Sequence, residues 1–388
     1  MSTRTIPLFA TVLVLLATTV VLAGPVKAPK GAKGSPRPEV PEVPQTPTPS
    51  PTVDAESTSA TAWADTLRKK LEVVDAAYAG ELGVYVKDLA TGQEFSYRAD
   101  EAWYIASGIK IPVAIEVMRR VEAGTLTLDT QLPLRQSDFV DGAGQTNWQA
   151  VGSLLEVRYL MEQMLIYSDN TATDMLIRLV ELDRVNALVR ELVPTGFWDI
   201  TTLADVRRHA YSNFHADAFQ LTSDDLLALR QQTDERKRIE TLARVLDLST
   251  GDFETSSLAD AFNAYYATNL NAATLRSFGT LLELLVAQKT LAEPASTEHI
   301  LGVMRRVETG QNRIKAGLPP GVAFAHKTGT QYERTCDLGI AYPASESGAE
   351  AGVIIAACTR GERATNRSER ALKSVGEAVS AVGLLGSS

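Results

Sequence analysis

Val322-Ala323-Phe324-Ala325-His326, running directly into Lys327-Thr328-Gly329-Thr330, is the stretch on which the fold turns. Its residues suit a short strand, and the glycine behind it suits a strand end where another group approaches closely. Two more β-compatible runs follow, Asp337–Tyr342 and Ala351–Ala357, and a closing helix is expected over Arg367–Val382. Far upstream, Leu82–Leu89 and Gln93–Arg98 read as two strands joined by a turn at Ala90-Thr91-Gly92. A helix is expected before them over Ala62–Tyr78. The interval between the two β regions is helical. One helix is expected over Ser107–Ala123, ending at Gly124, with Pro112 tolerable in its first turns. Others are expected over Leu154–Leu165 and Thr171–Leu192, the last stopped by Pro194-Thr195-Gly196. β-rich ends around a helical middle predict an α+β chain with two lobes, an antiparallel sheet flanked by helices and an all-helical lobe.

Composition narrows the function. The 388 residues carry 38 Lys+Arg against 47 Asp+Glu, a formal charge of −9, and 45% are hydrophobic. That is ample for a buried core and a poor balance for gripping nucleic acid. Two cysteines cannot build a Cys-rich zinc site, and four scattered histidines show no His-Glu-x-x-His spacing, so neither metal nor cofactor is expected. Ile6–Ala23 is a nearly unbroken apolar run after Arg4, so residues 1–23 read as an export signal or a membrane tether. Nine of the 17 prolines fall between Pro25 and Pro51, which makes 24–60 a solvated, polyproline-like spacer. The folded domain is expected over 61–388, as a monomer, outside the cytoplasm: periplasmic or held at the outer face of the inner membrane.

Three short motifs carry the chemistry. In Ser107-Gly108-Ile109-Lys110, positions three apart on a helix share a face, so an amine sits beside a hydroxyl. A serine needs such a base to become a nucleophile, and a lysine can serve when burial and a second cation lower its pKa. Ser168-Asp169-Asn170 follows 61 residues after Ser107, between two predicted helices, where Ser168 and Asn170 would also suit a helix cap. Lys327-Thr328-Gly329-Thr330 ends the predicted strand and supplies a second cation on an edge able to pair with a peptide-like ligand.

Taken in order and by placement, the three resemble the motif set of the serine β-lactamase and penicillin-binding protein superfamily, most closely its class A branch. The resemblance implies the two-lobe β-lactamase/transpeptidase-like fold. It also implies that Ser107 is acylated, that Lys110 accepts its proton, and that Ser168 passes a proton to the leaving nitrogen under the influence of Lys327. Asn170 would hold a substrate side-chain amide, Thr328 and Thr330 its carboxylate, and the backbone N–H groups of Ser107 and Thr330 the oxyanion beside Gly329. Substrates would be β-lactams or D-alanyl-D-alanine peptides of peptidoglycan. Hydrolysis of β-lactams is the leading expectation; a slowly deacylating carboxypeptidase and a non-catalytic sensor are the alternatives.

One part departs from the pattern. Class A enzymes carry a Glu-x-x-Leu-Asn loop whose glutamate activates the deacylating water. The matching region here, Phe197–Tyr211, has none, leaving Asp199, Asp205 or Asp217 as substitutes. From Ser168 to Lys327 the chain runs 159 residues, where class A enzymes have about a hundred. The surplus is assigned to 221–263, opening with the capping-box pattern Thr222-Ser-Asp-Asp225, and is expected to be a surface decoration rather than a lid. A hairpin tip at Ser345–Gly348 would set Cys336 opposite Cys358 on adjacent strands, which suits a disulfide in an oxidising compartment. Asn147 and Trp148 fall either at the cleft entrance or, for the tryptophan, in the core.

Overall fold

The structure, a computed structural model, describes residues 55–343 and 352–386. The apolar run 6–23, the spacer up to residue 54 and the expected hairpin tip at Ser345–Gly348 lie outside the described residues. The first helix, Ala55–Ala77, begins within the stretch 24–60 that composition assigned to the spacer. Among the described residues no helix is long and apolar enough to cross a membrane.

Both β-rich ends of the chain meet in one five-stranded sheet. Its order is Glu94–Tyr97, Glu81–Asp88, Val353–Arg360, Arg334–Tyr342, Ala323–Gln331, and each neighbouring pair is antiparallel. Alternation along the strands sends side chains to two cores. Leu82, Val84, Val86, Val353, Ile355 and Ala357 face one core, which is closed by the first helix and the last, Thr365–Ser380. Tyr85, Leu338, Ile340, Ile354 and Ala356 face the other, shared with the helical lobe. Cys336 and Cys358 are cross-strand partners and are joined by a disulfide, as the expected register required.

The helical lobe is built round Lys110–Glu122, whose residues from Lys110 to Met118 are all buried, the pattern of a helix enclosed on every side. The single helix expected over Thr171–Leu192 is two, Asn170–Val180 and Leu182–Leu192. Glu181 separates them with φ 71°, a left-handed turn that lets each half direct its own apolar face inward. The strand expected over Val322–His326 continues through Lys327-Thr328-Gly329-Thr330 to Gln331, so that motif lies within an edge strand.

The inserted stretch folds as helices Ser223–Gln231, Glu235–Val245 and Leu258–Ala267. The first opens with the expected capping box between Thr222 and Asp225. These helices are not a decoration on the outside. Arg230, Arg238 and Phe262 line the main cleft, so the insertion forms one of its walls.

Candidate active site

Ser107 sits in a 3₁₀ turn, Ala106–Ile109, that leads into the buried helix Lys110–Glu122. Ala106 holds φ 48° and Ser168 φ 61°, a left-handed geometry costing an L-residue roughly 1–2 kcal/mol each. Such strain persists only where the surrounding packing enforces it. For the Ser168 loop that packing is visible. Asp169 caps the next helix by accepting from the Ala172 N–H at 2.9 Å, and its other oxygen accepts from the Thr146 N–H at 2.9 Å. The cap is therefore Asp169, not Ser168 or Asn170. Gly144 lies so close that a Cβ there would overlap the Asp169 carboxylate, and its φ of 97° also demands glycine.

Lys110 ties the first two motifs together. Its fully buried ammonium donates to the Ser168 carbonyl at 2.6 Å, to Ser168 Oγ at 3.2 Å and to Asn170 Oδ1 at 2.8 Å. Burial pulls its pKa down from the usual lysine range to about 7; Arg207 pushes the same way, while Asp169 and Asp174 oppose. Asn170 bridges, donating through Nδ2 to the Asp141 carbonyl at 2.6 Å while its oxygen faces Lys110. Asp174, one turn further along that helix, accepts from the Leu203 and Ala204 N–H groups, yet burial raises its carboxyl to about 7.

The third motif closes the cleft from the sheet side. Gly329 passes against the Ile105–Ala106 backbone, and any side chain there would overlap the Ile105 carbonyl oxygen. Lys327 is fully buried and donates to the Thr328 carbonyl at 3.1 Å. Burial, then the nearby charges of Lys110 and Arg313, hold its pKa well below the usual range. Arg313, itself buried, donates to the Gly329 and Cys336 carbonyls at 3.0 and 2.9 Å and to Thr330 Oγ1 at 2.7 Å, and pairs with Glu369 at 3.3 Å. Thr328 Oγ1 shares a 2.5 Å hydrogen bond with Thr309.

Ser107, Ser168, Asn170, Thr328 and Thr330 thus open on one cleft of about 590 Å³, with Lys110 and Lys327 buried around them. Hydroxyls, a near-neutral amine and a cation-backed strand edge can deprotonate an alcohol and hold an anionic acyl donor. The sequence-predicted residues converge. Asp199, Asp205 and Asp217 do not line the cleft. Asp199 is exposed and paired with Arg190, Asp205 accepts from the hydroxyl of the capping Thr202 and pairs with Arg208, and Asp217 is exposed beside His215. Among the described residues the only carboxylate in the cleft wall is Asp141, held by Arg207 through two bonds of 2.8 and 3.1 Å. Trp148 is 78% exposed, which rules out the core, and it does not line this cleft. Sequence reasoning did not find Arg207 and Arg313. Single arginines in helical or turn-rich stretches carry no spacing signal, and only the fold reveals their burial.

A sequence profile for the Beta-lactamase enzyme family matches residues 66–382, which takes in every site residue above. The chain belongs to that family. Among relatives of the β-lactamase family, the chain is 33% identical to β-lactamase L2 of Stenotrophomonas maltophilia over 127 residues, 33% of this chain and 39% of that protein. It is 30% identical to β-lactamase ROB-1 of Haemophilus influenzae over 128 residues, 33% of this chain and 41% of that protein. These matches thus span about two fifths of the relatives' length. In structure, a β-lactamase from Sphaerobacter thermophilus superposes with TM-score 0.60 at 21% identity, covering 82% of this chain and 97% of that one. A PBP-A mutant in acyl-enzyme complex with penicillin G gives 0.60 at 20% identity, covering 81% and 94%. The β-lactamase family fold is thereby shared, helical lobe and sheet together.

Proposed function

We propose that this member of the β-lactamase family is a serine hydrolase that opens the β-lactam amide through an acyl-enzyme on Ser107. The observation that carries the reading is Lys110: fully buried, brought to a pKa of about 7, and joined to Ser168 and Asn170 one 3₁₀ turn from the serine. In this reading Lys110 takes the Ser107 proton as Oγ attacks the carbonyl carbon. The backbone N–H groups of Ser107 and Thr330 stabilise the oxyanion, and Ser168, with Lys327 nearby, returns a proton to the leaving nitrogen. Asn170 is the side-chain amide partner, and Thr328 and Thr330 hold the substrate carboxylate with Arg313 behind them. Water then releases the acyl group.

A second reading is supported by the cleft's carboxylate inventory. Among the described residues the wall's one acid is Asp141, locked by Arg207, and no unpaired carboxylate stands there to activate the deacylating water. That favours a penicillin-binding, D-Ala-D-Ala carboxypeptidase-like hydrolase with slow deacylation. One stopped-flow experiment with a chromogenic cephalosporin separates the two. Sustained turnover supports the first, and a burst of one equivalent supports the second. Ser107→Ala should abolish covalent labelling by penicillin in either case; labelling that persists overturns the assignment of the nucleophile.

Export is proposed on separate grounds. The apolar run 6–23 and the Pro-rich stretch behind it suit a signal or tether, and a disulfide between Cys336 and Cys358 suits an oxidising compartment.

A further inference from the structure

The cleft carries more positive charge than one substrate carboxylate requires. Beyond Arg313 at the strand edge, Arg207, Arg230 and Arg238 line its opposite side, in a chain whose net charge is −9. Their pairing is uneven. Arg207 takes both oxygens of Asp141. Arg230 is left with the same carboxylate at 3.8 Å, already committed, and its side chain is 60% exposed. Arg238 spends Nε and Nη2 on the Gln232 carbonyl, at 3.0 and 2.6 Å, and has no carboxylate in ion-pair range among the described residues. Both under-compensated guanidiniums come from the inserted helices. Arg230, with Asp141 and Gly142, also lines a second hollow of about 570 Å³ that adjoins the first. A ligand that extends from the main cleft into this hollow therefore passes Arg230, and Arg238 shares the main cleft with it.

We infer that Arg230 and Arg238 form a subsite for a second carboxylate on the acyl donor, so that the insertion selects dianionic substrates over monoanionic ones. The inference rests on the serine-hydrolase reading for its substrate, but the subsite is a matter of binding alone. Planar guanidiniums with N–H donors left over match a carboxylate, and the two together should raise affinity by about tenfold. The second carboxylate could be borne by a β-lactam side chain or by a cell-wall-type peptide.

The test uses matched pairs that differ by one carboxylate: benzylpenicillin against its α-carboxy analogue, and Nα,Nε-diacetyl-Lys-D-Ala-D-Ala against the Nα-acetyl-Nε-succinyl peptide. Second-order acylation rates for the full chain should favour the carboxylated penicillin by about tenfold. In Arg230→Gln/Arg238→Gln that ratio should fall to about one. Calorimetric binding of all four compounds to Ser107→Ala protein, with and without the two arginine changes, reads the subsite without acylation. If the carboxylate preference appears only in the penicillin pair or only in the peptide pair, the subsite stands and its source is named. Failure of acylation with the binding preference intact counts against the hydrolase reading and not the subsite. Equal binding within both pairs, or a preference that survives in the double variant, overturns it.

Discussion

At the scale of single residues, the decisive quantity is where Lys110 releases its proton. An ammonium enclosed by protein cannot shed its solvation cost except by becoming neutral, and here that cost brings the pKa to about 7. Below that pH the amine is protonated and cannot accept from Ser107; above it the base is free. The acylation rate constant should therefore rise tenfold per pH unit below about 7 and level off above, as read by stopped-flow over pH 5–9. The Asp174 charge raises the Lys110 pKa, so Asp174→Asn should move the rising limb to lower pH. A limb that stays in place would show that Lys110 is not the titrating base. Ser107, Lys110, Ser168, Asn170 and the Lys327–Thr330 run were picked out by the resemblance of three ordered motifs to the β-lactamase set; helix periodicity by itself explains only why Lys110 can stand beside Ser107. Asp141, Arg207 and Arg313 were not legible, since their roles depend on contacts between segments that no local pattern encodes.

At the scale of elements, the sheet was legible in sequence nearly strand by strand. β-compatible runs separated by turn residues gave the Arg334–Tyr342 and Val353–Arg360 strands to within a few residues. The hydrophobic pattern fixes register because a one-residue slip would exchange the two core faces. The Cys336–Cys358 bond is the sharpest consequence. It closes a loop with a sequence separation of 22, for which loss of chain entropy in the unfolded state predicts about 3 kcal/mol. Reduction, or Cys336→Ala/Cys358→Ala, should lower the urea midpoint correspondingly, while penicillin labelling of the folded protein persists. An unchanged midpoint would mean that the sulfurs are not joined. Element boundaries read less well where backbone conformation decides them. The break at Glu181 needs a left-handed residue, for which glutamate gives no advance notice.

Across the whole molecule, the β-rich ends and helical middle specified the architecture, but the path between Phe197 and Gly321 did not announce its function. Helix-favouring, charged sequence reads as solvated surface, and only assembly shows that three of its helices supply a cleft wall. Val53–Ser388 is one compact unit that holds both cores and every residue of the site. Expressed as residues 53–388, the protein should unfold in a single cooperative transition and acylate at the rate of the full chain, measured by denaturant titration and by burst kinetics. A marked loss of either would assign residues 1–52 a part in the fold or the chemistry.

The Arg313–Glu369 pair has a bearing on how this chain can be edited. One guanidinium clasps two backbone carbonyls of the sheet and a threonine hydroxyl at the mouth of the pocket, and its counter-ion comes from the sixteen-residue C-terminal helix. Trimming that helix would strand a cation inside the protein, an imbalance of several kcal/mol. The tail of the polypeptide is thus wired to the pocket, and shortening it should unsettle a cleft whose Ser107 and Ser168 lie more than two hundred positions before Glu369.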